Sequence, residues 1–117
     1  MRESEIKNYT KLNELAEKGG IVIFGCGVDK DIPTCEIRQA FAVESKIYNR
    51  SFESVSVNGA LSIYKETVAA LSPETVLLHI GETDIEFFAE NSAEFDNKYR
   101  ELIGYIKSQN KKSRIAI

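Results

Sequence analysis

Ile21-Val22-Ile23-Phe24-Gly25-Cys26-Gly27-Val28 decides how the rest of the chain is read. Four consecutive β-branched or aromatic residues form a strand buried on both faces, the pattern of a parallel sheet. The glycines on either side of Cys26 then allow a tight turn, and a helical pattern follows. In open α/β sheets the carboxyl ends of the strands open into the crevice that holds the ligand, so chemistry is expected at this turn. The turn offers a thiol between two glycines, with neither a serine nor an adjacent base.

Upstream, residues 3–18 carry Ile6, Tyr9, Leu12, Leu15 and Ala16 on one side of a helix, which Lys18-Gly19-Gly20 stops. Downstream, Pro33 opens a short helix over 33–43 with Ile37, Ala40 and Phe41 as its inner face. Residues 46–50 read as a second strand. Residues 58–71 read as a helix through Leu61, Tyr64, Val68 and Leu71, ended by Ser72-Pro73, and 75–80 as a third strand closed by Gly81. The stripe Phe95, Tyr99, Leu102, Ile103 and Ile106 gives the clearest helix, 92–109, with Asn91 and Glu94 at capping-box spacing. Ser113-Arg114-Ile115-Ala116-Ile117 is the fourth strand.

Strand and helix thus alternate four times without repeat, linker or low-complexity tract. One α/β domain over residues 1–117 is expected, a parallel sheet with helices on both faces. The last strand is apolar and would leave an open edge. It is expected either to pair with a second chain, as a homodimer through Ser113, Arg114, Ile115, Ala116 and Ile117, or to be covered by the N-terminal helix.

Composition excludes several classes. The net charge is −3, and the only basic cluster is Lys111-Lys112-Ser113-Arg114, so no nucleic-acid partner is expected. No apolar run approaches the ~20 residues of a membrane span. The N-terminus lacks the apolar core of a signal peptide, so a cytoplasmic location with Cys26 and Cys35 reduced is the expectation. Two cysteines and one histidine, His79, are too few for a zinc site, and no metal or cofactor is expected. Gly25-x-Gly27 begins a dinucleotide fingerprint, but Lys30 stands at its third position. The second strand ends in Asn49-Arg50 rather than in an acid that could hold a ribose.

Four segments in order resemble the sequence blocks of the SGNH (GDSL) hydrolases. Gly20-Ile-Val-Ile-Phe-Gly25 is similar to their first block, and Ile47-Tyr-Asn-Arg50 to the lead into the second. Ala70-Leu-Ser-Pro73 resembles the approach to the third, and Ile80-Gly-Glu-Thr-Asp-Ile85 the Gly-x-Asn-Asp block itself. The resemblance covers nearly everything from Gly20 onward. It implies a three-layer α/β/α, flavodoxin-like fold with strand order 2-1-3-4, the family's fifth strand being missing. It also implies acyl transfer, usually ester hydrolysis, by an activated serine with preorganised oxyanion donors.

Carried over residue by residue, the resemblance leaves no catalytic position intact. Cys26 falls on the Asp of the first block and Gly27 on the nucleophile, where no side chain is left to attack. Ser54 falls on the oxyanion glycine and Thr83 on the oxyanion asparagine, whose amide a short hydroxyl cannot replace. Asp84 matches, at a position that mainly holds the loop, and the chain ends before an Asp-x-x-His block. The implied function is an acylhydrolase-like domain with impaired catalysis. The alternative is a non-catalytic module that binds a small acyl or sugar ligand, or assembles, on the same scaffold.

Other chemistry-bearing residues have ordinary readings beside the functional ones. Cys26 as a substitute nucleophile needs a base or cation nearby, otherwise it fills the turn. His79 lies two residues before its strand's end and is expected to pack under the crevice, which disfavours a Cys26–His79 dyad. Glu82, Asp84 and Glu86 read as loop solvation and local capping rather than a metal site. Cys35 is structural, and Arg50 either grips an anion or pairs with a carboxylate such as Glu53. Tyr48, Phe52 and Tyr64 belong to the core or its rim.

Overall fold

The computed structural model describes residues 2–81, 84–109 and 112–117. Its elements are α1 (Arg2–Leu15), β1 (Ile21–Gly25), a 3-10 turn (Gly27–Asp31), α2 (Thr34–Ala40), β2 (Ile47–Asn49) and α3 (Val57–Thr67). A second 3-10 turn (Ala69–Leu71), β3 (Thr75–His79), α4 (Ile85–Glu90), α5 (Ser92–Gln109) and β4 (Arg114–Ala116) complete it. The strands form one parallel sheet in the order β2-β1-β3-β4. Among the described residues, no helix is long and apolar enough to cross a membrane.

Register divides the sheet into two unequal faces. Val22 lies beside Tyr48 and Val76, and Phe24 beside Leu78. These side chains share one face, since neighbours in register project to the same side and successive residues alternate. Val22, Phe24, Cys26, Val76 and Leu78 are buried there with Ala60, Ile63 and Tyr64 of α3 and Leu102 and Ile106 of α5, and Ile6 and Tyr9 of α1 pack against them. Edge-to-face rings run through this core from Tyr9 to Phe52, Phe24, Tyr64 and Tyr105, with centroids 5.2, 6.4, 5.4 and 6.1 Å apart. Such pairs add about 0.5–1.5 kcal/mol each beyond area burial.

This core has a consequence at high pH. Burial raises the Tyr64 phenol far above its ordinary value, and the nearby Tyr105 adds to the shift. Burial also raises Tyr9 and Tyr99. A phenol that ionises only when unfolded leaves stability intact below its unfolded value near 10, then lowers it as pH rises. Urea unfolding between pH 9 and 11.5 is expected to show falling stability. Tyr64→Phe removes about one proton's share, roughly 1.4 kcal/mol per pH unit, from that slope. An unchanged slope would contradict the burial of this hydroxyl.

The opposite face carries Ile21, Ile23 and Gly25 of β1, Asn49 of β2, Leu77 and His79 of β3 and Ala116 of β4. The first 3-10 turn stands over its β2–β1 half. The Asn49 side-chain amide donates to the carbonyls of Asp29 (2.6 Å), Lys30 (3.3 Å) and Ile32 (3.5 Å) and so clamps that segment. Over the β3–β4 half Leu77 is 38% exposed and Ala116 is open. β3 therefore alternates buried and exposed, although its sequence reads as a continuous apolar run.

Two expectations are corrected. The second helix ends at Ala40, and Phe41 is 75% exposed rather than inward-facing. Val43 N–H closes on the Arg38 carbonyl (3.0 Å) and Ala42 N–H on Gln39 (3.4 Å), with Ala42 left-handed at φ 52°, a terminating motif usually built on glycine. The N-terminal helix does not cover β4. It packs on α3 and beside β2, where Asn13 donates to the Thr67 carbonyl (2.7 Å), Tyr9 hydroxyl to the Ser51 carbonyl, and Glu17 N–H to Tyr48 Oη (2.9 Å).

Candidate functional site

At the carboxyl end of β1, Cys26 continues the core face. It is fully buried, and its thiol lies 3.8 Å from the His79 carbonyl oxygen. Gly27 follows at φ 66°, a left-handed conformation that glycine adopts without strain. Its N–H donates to the carbonyls of Phe52 (3.0 Å) and Glu53 (3.2 Å). An oxyanion donor must point at the substrate, whereas this N–H is spent on the protein's own backbone.

Ser54 is exposed on the segment leading to α3. Glu82, expected as a solvated loop carboxylate, and Thr83, which falls on the oxyanion asparagine, lie outside the described residues. Asp84 is 4% exposed, and its Oδ2 accepts the Val57 N–H at 2.8 Å, capping the start of α3 where a carboxylate also complements the helix dipole. Its own N–H donates to Gly81 O (3.0 Å) and its carbonyl accepts from Phe88 N–H (2.8 Å). Asp84 thus ties the β3–α4 loop to α3. Glu86 is exposed, so these two carboxylates do not converge, and no described group of three His, Cys, Asp or Glu is arranged to hold a metal. Tyr99, absent from the sequence-based candidates, has its phenol beside Cys26 and the Ile80 backbone, and burial raises it above its ordinary value.

The Tyr48-Asn49-Arg50 segment is a structural clasp. Arg50 is 4% exposed and lies between the rings of Tyr9 and Tyr48, 5.2 and 5.4 Å from their centroids. Its Nε donates to Asn13 Oδ1 (2.9 Å) and its Nη1 to the Asn49 carbonyl (3.0 Å), so Glu53 is not its partner. Burial lowers its guanidinium below the ordinary value. The cation is held by aromatic faces and neutral oxygens and is turned inward, away from any ligand.

The chain's one histidine takes part in a pair that sequence reading did not anticipate. His79 Nδ1 and Asp29 Oδ2 are in direct hydrogen-bond contact, with the carboxylate side chain 14% exposed and the imidazole 52% exposed. His79 therefore does not pack beneath the crevice. It projects from the open face of the sheet, opposite the Cys26 thiol, which excludes a Cys26–His79 dyad. Gly25 makes the contact feasible, because a Cβ there would lie 2.2 Å from Asp29 Oδ2 and 3.2 Å from His79 Cβ. The available signal was positional: strand order 2-1-3 sets Gly25 beside His79, and Asp29 follows four residues later on the turn. Below the pair, the open face forms a groove of about 270 Å³ floored by Ile23, Leu77 and Ala116 and walled by Ile32 and Ile117.

Comparison with solved structures identifies the scaffold. A chain from Streptococcus pneumonia, described provisionally as a platelet activating factor, superposes with a TM-score of 0.78 at 18% identity over 97% of this chain and 51% of its own. A chain from Parabacteroides merdae, described provisionally as a GDSL-like lipase, gives a TM-score of 0.63 at 16% identity over 85% of this chain and 58% of its own. At these identities the likeness establishes an SGNH/GDSL-like α/β fold. This chain spans about half the length of the structures it matches. No protein-family model matches the chain, and no curated protein matches it at a significant level.

Proposed function

We propose that this chain is an acylhydrolase-like domain whose strand-end crevice no longer performs serine-based ester hydrolysis and serves ligand binding instead. The observation that carries the reading is Gly27. At the nucleophile's expected position it has no side chain, and its N–H, the expected oxyanion donor, is bonded inward to Phe52 and Glu53. The description of the Parabacteroides merdae chain as a GDSL-like lipase supports an ester-hydrolase ancestry. Losing a single oxyanion donor costs on the order of 100- to 1,000-fold in rate, and a missing nucleophile removes the covalent route.

The test is hydrolysis of p-nitrophenyl acetate. The parent chain is expected to match buffer alone. Gly27→Ser is expected to gain less than about twofold, because among the described residues neither a base nor a free oxyanion donor faces the new hydroxyl. It also costs about 1–2 kcal/mol of stability, since φ 66° is strained for any residue with a Cβ. A parent rate well above buffer that disappears in Cys26→Ala would overturn the proposal and make the thiol the nucleophile.

A further inference from the structure

We propose that α1 is a releasable strap whose docking holds the strand-end crevice closed around Gly27. The crevice opens between two walls, the 3-10 turn Gly27–Asp31 and residues 50–53 that follow β2. Gly27, Lys30 and Asp31 of the first and Glu53 of the second line a cavity of about 450 Å³. α1 is fastened to both walls. Glu5 Oε2 lies 3.3 Å from Lys30 Nζ on the first, and the Tyr9 hydroxyl donates to the Ser51 carbonyl on the second. Asn13 adds a third tie, its Oδ1 accepting from Arg50 Nε at 2.9 Å.

The second wall leads to the centre of the crevice. Ser51 Oγ accepts the Gly25 N–H at 3.2 Å, and Phe52 N–H donates to the Gly25 carbonyl at 2.9 Å. The Phe52 and Glu53 carbonyls in turn hold the Gly27 N–H. Lifting α1 loosens this wall through consecutive hydrogen bonds and frees the Gly27 N–H, which in the docked state is spent on the protein's own backbone. The strap acts on the crevice assigned above to ligand binding and rests on that reading for its use. The coupling itself is a property of the ligand-free chain.

The helix is held weakly enough to lift. Among the described side chains of α1 none is fully buried, whereas α3 buries Val57, Ala60, Ile63, Tyr64 and Thr67. Only Glu5, Ile6, Tyr9 and Asn13 of α1 are half-buried, a narrow stripe with one aliphatic member, while Leu12 and Leu15 are exposed. An element with few buried apolar contacts opens at a lower free energy than the whole fold. Arg50 lowers the cost further. Its guanidinium is buried against two rings and neutral oxygens, and lifting α1 returns part of that charge to water.

Native-state amide hydrogen exchange of the full chain, followed residue by residue, tests the coupling. In the parent, α1 and Gly27 are expected to exchange through one shared opening, at least tenfold more populated than the opening that exposes α5. Tyr9→Phe keeps the ring over Arg50 and removes the bond to Ser51. It is expected to speed exchange in α1 and at Gly27 by a common factor of roughly two- to tenfold, the range for one lost hydrogen bond. Asn13→Ala is expected to move the same pair together. Ile106→Val, in the packed face that stays closed, is expected to speed the α5 amides by a similar factor and leave α1 and Gly27 unchanged. The proposal is overturned if α1 and α5 share one opening, or if Tyr9→Phe speeds α1 without reaching Gly27. It is equally overturned if Gly27 follows Ile106→Val, which would mean that the crevice opens only when the whole fold does. A parent rate of ester hydrolysis bears on the chemistry of the crevice and not on this coupling, so the two readings fail separately.

Discussion

Phe24→Ala is expected to remove about 3–5 kcal/mol of folding stability, whereas Phe41→Ala changes it by less than about 0.5 kcal/mol. Phe24 is fully buried on the middle of β1 and meets Phe52 and Tyr64 edge-on, so truncation loses transfer energy, two ring contacts and a filled volume between sheet and helices. A chain of 117 residues has a total stability of roughly 6–17 kcal/mol at the usual per-residue range. The Phe24 variant therefore forfeits a large fraction of what holds the fold. Phe41 is 75% exposed just beyond the end of α2, and its removal leaves no cavity. Urea midpoints for the two variants, measured at constant slope, decide the matter. Comparable losses would contradict the division into one packed face and one thin outer layer.

The same two residues show what was legible in the sequence. Phe24 announces itself, because an unbroken β-branched and aromatic run can be stabilised only by burial. Phe41 shares helical spacing with Ile37 and was read as inward. The helix ends one residue before it through backbone closure onto Arg38 and Gln39, and spacing carries no record of that closure. Strand order 2-1-3-4 was legible through the resemblance of Gly20–Gly25, Ile47–Arg50 and Ile80–Ile85 to ordered blocks, and the sheet has that order. The block resemblance also singles out Asp84, and its carboxylate accepts the Val57 N–H, a contact between loop and helix that no local pattern encodes.

What was illegible depended on pairing across the chain. Asp29 and His79 are 50 residues apart, and only the β1–β3 register brings them together. The exposure of Leu77 was equally hidden, since an apolar residue on a strand reports that a face can be buried and says nothing of what covers it. The Arg50 clasp was missed because a buried cation held by two rings and two neutral oxygens has no sequence pattern of its own.

Gly20→Ala is expected to cost about 2–3 kcal/mol, the upper range for forced overpacking, and to lower Tm by roughly 8–12 °C. Its new Cβ would lie 2.5 Å from the Lys46 carbonyl oxygen and 3.3 Å from the carbonyl carbon. Those atoms are backbone and cannot swing aside. Lys46 O also accepts the Ile21 N–H at 2.8 Å, and Gly20 O accepts Glu74 N–H at 2.9 Å, so relief must part β2 from β1 where the sheet is pinned. Gly25→Ala makes a closer clash, 2.2 Å to Asp29 Oδ2, yet is expected to cost no more than about 1 kcal/mol. The atom it meets is the tip of a side chain that can rotate away. Its effect should appear instead in the imidazole spectrum, as His79 loses its carboxylate partner. The contrast follows from which atom must yield: a backbone oxygen held in a sheet, or a carboxylate on two rotatable bonds. Equal losses in the two variants, or a Gly25→Ala imidazole identical to the parent's, would show that the pair is not held in the geometry described.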